Sequence, residues 1–159
     1  MDRRLAARQK APGKRVLQVA GVIGIAYFGF ICLLLLVDFA LRIGLVEVGG
    51  SGDPFWVGYA WFFMLFMNLY FWSLLFISIM AVKYCGILEK ANFLKLLGMI
   101  GVALNTIDLI IGIISFAVSP YPILPLSLGF VAQTLFVFAL SIAFTIGASM
   151  NIKASKGRV

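Results

Sequence analysis

Four long apolar stretches, at residues 16–41, 55–82, 93–118 and 121–148, leave this chain few folds to choose from. Each exceeds the ~20 residues that a helix needs to cross the hydrocarbon core of a bilayer. Tilt, or ends that rise into the headgroups, absorbs the excess. Together they take up most of a 159-residue chain that is 63% hydrophobic and 12% charged, which leaves no soluble core to host separate chemistry. The expected fold is an all-α integral membrane protein, a four-transmembrane-helix antiparallel bundle with short loops. Residues 1–15 and 149–159 read as basic tails around a membrane domain at 16–148.

The basic residues set the orientation. Arg3, Arg4, Arg8, Lys10, Lys14 and Arg15 precede the first span. Lys83, Lys90 and Lys95 surround the connection between spans two and three, and Lys153, Lys156 and Arg158 follow the fourth. With four spans all of these fall on one side, and only Arg42 falls on the other. The positive-inside bias then places both termini in the cytoplasm or its topological equivalent. The formal charge of +7 is read the same way, as topology and attraction to anionic lipid headgroups. Nucleic-acid binding is not expected, because neither tail offers an aromatic platform or groove. The first tail is not a convincing signal peptide or presequence, since the apolar stretch is too long and Pro12-Gly13 interrupts an amphipathic helix. Which membrane holds the protein stays open, the mitochondrial inner membrane included.

The connections are lean. Residues 42–54 contain Gly49-Gly50-Ser51-Gly52 and Asp53-Pro54, with Pro54 suited to the first turn of span two. Residues 119–125 carry Pro120, Pro122 and Pro125, which end the third helix and predict a tight hairpin into the fourth.

Span three carries Gly98, Gly101, Asn105, Asp108, Gly112, Ser115 and Ser119 at alternating spacings of 3 and 4. A stripe of small and polar residues at this period stays on one side of a supercoiled helix. In a membrane it has to face protein, a cofactor or a water-lined cavity. Span four has a row of its own in Ala132, Ala139, Ala143 and Gly147, and span one has Ala20, Gly21 and Gly24. Three helices with small-residue faces suggest contact surfaces for another subunit.

Counting from the span ends puts Asn68, Asn105, Asp108 and Gln133 near the bilayer midplane. As a structural layer, their amides would hydrogen-bond one another and a protonated Asp108. As an ion site, Asp108 would bind a cation or relay a proton, because an ionised Asp costs ~2.5–3.5 kcal/mol at the helix centre and is a functional candidate by default. A relay normally needs a second titratable group at that depth, and the sequence supplies none. Asp38 and Arg42, four residues apart, are spaced for an interfacial ion pair. In span two, Trp61 and Trp72 bracket Asn68 on one face, either as packing or as the wall of a lipid, sterol or pigment pocket.

Cys32 and Cys85 belong to opposite halves of the membrane, so no disulfide joins them, and Cys85 beside Lys83 and Tyr84 is a palmitoylation candidate. No metal site and no cofactor are expected, although bound lipids are: the chain has no His and only six acidic residues. Triad chemistry and phosphate cradling lack their residues, so an enzyme is not expected. In span layout the chain resembles small tetraspan proteins such as the MARVEL group, without the Cys-Cys-Gly of tetraspanins or the paired outer-loop cysteines of claudins. The expected role is a non-catalytic accessory or structural subunit, or scaffold, within a larger membrane assembly. Its partners would be other membrane subunits, in a hetero- or homo-oligomer, and anionic lipid. The alternative is a small oligomeric ion or proton-coupled transporter or channel that uses Asp108.

Overall fold

The computed structural model describes the backbone of residues 11–46, 54–118 and 124–156, with side chains for 11–41, 61, 65–114 and 129–156. Each expected span falls on one helix: α1 (Lys14–Val46), α2 (Pro54–Tyr84), α3 (Ala91–Val118) and α4 (Leu124–Lys156). A 3₁₀ turn at Leu88–Lys90 joins α2 to α3. All four helices are long and apolar enough to cross a membrane. With 28 to 33 residues each, they extend to about 42–50 Å at 1.5 Å per residue, well beyond a ~30 Å hydrocarbon core.

The helices outrun the apolar stretches at the end of the bundle that carries both termini. α1 starts at Lys14, directly after Pro12-Gly13, and α4 continues eight residues past Ala148. The last turns of α4 are therefore helix where composition alone reads as tail. Pro54 opens α2, as the freedom from an N–H requirement in a first turn allows. The Gly-rich connection lies outside the described residues, as does most of the Pro-rich one.

Contacts run around a ring, α1 on α2, α2 on α3, α3 on α4 and α4 on α1, the arrangement of an up-down-up-down bundle. Its core comprises Leu17, Phe28, Cys32, Phe71, Leu74, Ile77, Leu94, Leu97, Val137, Leu140 and Phe144, drawn from all four helices. The outer faces carry Leu33, Leu69, Ile113, Leu135 and other large apolar residues, the surface that lipid solvates. Between helices in lipid the hydrophobic effect offers little, so close packing and hydrogen bonds have to hold the bundle.

Glycine supplies the close packing at three crossings. A Cβ on Gly98 would lie 2.6 Å from Thr145 Oγ1 and 2.9 Å from the Thr145 backbone nitrogen; one on Gly101 would lie 2.9 Å from Ser141 Oγ. Gly24 meets Ser78 in the same way across the α1–α2 contact, with Gly21 against the Ser78 carbonyl and Val82. At the terminal end, Gly13 and Gly147 lie backbone to backbone, where a methyl group on Gly13 would overlap the Gly147 carbonyl oxygen.

Candidate functional site

The span-three stripe faces inward, towards α4 of the same chain. Gly98, Gly101, Asn105 and Asp108 are buried, and Gly112 is covered by the ring of Phe130. The sequence leaves open whether this seam faces the chain's own helices or a neighbour; here Gly98, Gly101 and Gly112 are used within the α3–α4 pair. Ser115 lies outside the residues with described side chains. Of the span-four row, Ala139, Ala143 and Gly147 all face α1: Gly147 packs on Leu17, Ala143 is half-buried beside α1 and Ala139 is exposed beside it, while Ala132 is exposed.

Asn105, 1% exposed, is the hub of the polar layer. Its Nδ2 donates to Ser141 Oγ at 2.9 Å and to the Val137 carbonyl at 3.4 Å, while its Oδ1 accepts from the Tyr70 hydroxyl. The partners are therefore Tyr70 and Ser141, where the residue pattern had suggested Asn68 and Gln133, both of which are half-buried. Tyr70 was hidden in the sequence among the aromatic residues of span two. Ser141 is a residue type too common in membrane helices to stand out, although it lies four residues before Thr145 and seven after Thr134 on one helical row.

Asp108 is 4% exposed and lies within electrostatic reach of the Tyr70 hydroxyl. Tyr27 of α1 joins the same neighbourhood and packs edge-on against Phe28 and Phe136, at centroid distances of 5.3 and 4.9 Å. Thr134, 6% exposed, is buried on α4 with no hydrogen-bond partner for its Oγ1. Ser78, Thr106 and Thr145 each donate instead to the carbonyl four residues earlier in their own helix, the usual way to hide a hydroxyl in lipid.

A second polar centre, at the terminal end, went unread in the sequence. Asn151 is fully buried, accepts the Gly13 N–H at 2.8 Å and donates to the Cys85 carbonyl at 3.1 Å. One side chain of α4 thus caps the start of α1 and the end of α2, satisfying two backbone groups that helix ends leave open. Only the extension of α4 past the apolar stretch brings it there.

The other expected residues are dispersed. Asp38 is half-buried, and the Arg42 side chain lies outside the described residues. Trp61 stacks edge-on against Phe39 at 5.8 Å, and Trp72 is 45% exposed. Cys32 and Cys85 are both free and buried. Cys85, only 8% exposed, would have to leave this packing to be acylated. Among the described residues, no three His, Cys, Asp or Glu side chains come together.

An open apolar groove of about 490 Å³ runs between α1 and α4, lined by Val19, Ala20, Ile23, Phe136, Ala139 and Ala143 among others, with Arg15 at its terminal end.

A ring of four apolar helices, closed by glycine crossings and a buried polar layer, defines the class: a multi-pass membrane bundle. No protein-family model, curated protein or solved structure matches the chain, so the further reading rests on its own residues.

Proposed function

We propose that the protein is a non-catalytic subunit of a larger membrane assembly, oriented with both termini on the cytoplasmic side, and that a transmembrane helix of a partner subunit occupies the α1–α4 groove. The observation that carries this reading is the floor of that groove. Ala20, Ala139 and Ala143 set small side chains between Val19, Ile23, Phe136 and Leu140, so another helix backbone can approach closely along them. The glycines of α3 and most of those of α1 are already used within the bundle, whereas Ala139 and Ala143 border a groove that is open to a partner. The excess of basic residues beside the spans supports the orientation, and attraction to anionic headgroups would hold the terminal end at the membrane surface.

The test is extraction from native membranes in a mild detergent, followed by native mass analysis of the parent and of Ala139→Phe. The exposed position lets the substitution fill the groove without touching the core. Other membrane subunits present at fixed stoichiometry in the parent and lost from Ala139→Phe, with thermal stability unchanged, are the expected result. A parent that runs alone, or companions that persist in the variant, would overturn the reading.

A further inference from the structure

The antiparallel contact of α3 with α4 has a constant register. Gly98 meets Thr145, Gly101 meets Ser141, Asn105 reaches Val137 and Ser141, and Gly112 meets Phe130. As the number rises on α3 it falls on α4 by about the same amount, and this progression sets Asp108 opposite Thr134. Both belong to the facing rows: Gly98, Gly101, Asn105, Asp108 and Gly112 on one helix; Phe130, Thr134, Val137, Ser141 and Thr145 on the other. Asp108 is ten residues from the end of α3, about 15 Å along the axis, half the thickness of a hydrocarbon core.

Two groups at this level are costly as they stand. Asp108 is a carboxyl buried in an apolar bundle, and its charge has no basic side chain near it in the sequence of its own helix, where Lys95 is thirteen residues away. The other helices carry their basic residues towards the terminal end (Lys14, Arg15, Lys83, Lys153 and Lys156), apart from Arg42 near the far end of α1. Thr134 keeps a buried hydroxyl without a partner, although the back-bond to its own helix that Ser78, Thr106 and Thr145 adopt is the ordinary solution. A buried unpaired polar group is destabilising, so its presence opposite a carboxyl points to a third component between them.

We propose that Asp108 and Thr134 bind one monovalent cation, sodium, between α3 and α4. The donors are oxygens, which suit a hard cation and not a thiolate- or imidazole-seeking metal. The single carboxylate matches one positive charge, and a divalent ion would leave net charge in the core. Thr134 Oγ1 makes no hydrogen bond to Asp108 here, so a proton on Asp108 would link the two only after a side-chain shift, whereas a cation binds oxygens that are held apart. The proposal concerns binding alone and is independent of the groove and its partner.

The experiment is thermal unfolding of the purified full chain in nanodiscs at mildly alkaline pH, in sodium, potassium or choline chloride at equal ionic strength. Sodium is expected to raise the melting temperature by several degrees over choline, with less effect from potassium, because a ligand that binds only the folded state stabilises it by mass action. Asp108→Asn should lose the sodium increment. Thr134→Val, nearly isosteric and lacking only an unpartnered hydroxyl, should melt higher than the parent in choline and gain much less from sodium, so it decides the matter even if Asp108→Asn does not fold. Equal melting in all three salts overturns the proposal, as does a sodium response that persists in Asp108→Asn or is undiminished in Thr134→Val. A response to pH without one to sodium assigns the carboxyl to a proton and overturns it equally.

Discussion

Replacing Asn105 tests whether hydrogen bonds or shape hold the centre of the bundle. Asn105→Leu keeps the branching and heavy-atom count of the side chain but removes the 2.9 Å bond to Ser141, the longer 3.4 Å bond to the Val137 carbonyl, and the acceptor for Tyr70. Interhelical bonds measured in membranes average ~0.6 kcal/mol and reach ~1.7, because the unfolded chain in lipid finds partners as well. Two good bonds and one long one therefore contribute about 1.5–2 kcal/mol. Stranding the Tyr70 and Ser141 hydroxyls raises the expected loss to about 2–3 kcal/mol. Tyr70→Phe removes a single bond and should cost about 0.6–1.7 kcal/mol. The decisive quantity is the coupling between them, from a double-mutant cycle on protein titrated from mild micelles into a denaturing detergent. Coupling of about 0.6–1.7 kcal/mol is expected, since removing Tyr70 matters less once Asn105 is gone. Coupling below about 0.3 kcal/mol, the scatter of independent sites, would refute the hub and leave apolar packing to explain the layer.

Two further outcomes follow from the crossings. Gly98→Ala should destabilise by about 1–3 kcal/mol, because the new methyl group meets the backbone nitrogen of Thr145 and α4 has to shift. Gly101→Ala has side-chain atoms of Ser141 and Ile77 as its three nearest neighbours and should stay within about 1 kcal/mol of the parent, the lost Ser141 geometry being offset by better helix propensity. Parallel denaturation of the two variants checks the order, and a reversed order contradicts the packing described. Asn151→Leu withdraws the acceptor from the Gly13 N–H and should cost about 1–2 kcal/mol. Hydrogen exchange at the Gly13 amide should then quicken by about 5–30-fold with mid-helix amides little changed. Unchanged exchange at Gly13 would mean that the clamp holds nothing.

Much of this architecture is written in residue types alone. Apolar stretches longer than a bilayer is thick dictate spanning helices, since in lipid each backbone group has to find its partner within its own segment. Basic residues grouped beside the spans predict their orientation, and the period of the span-three stripe announces a helix with one distinct side. Asn105 and Asp108 were legible because polar groups are rare and expensive at that depth. What faces that side is a different kind of fact. Whether Gly98 meets α4 or a neighbour, whether Asn105 bonds Tyr70 or Asn68, and whether Asn151 ends in solvent or between two helix ends depend on register and rotation. Those are set jointly by every glycine crossing and aromatic contact in the ring. No single stretch encodes them, because lipid is as apolar as leucine and favours no rotation of a helix until another helix is packed against it.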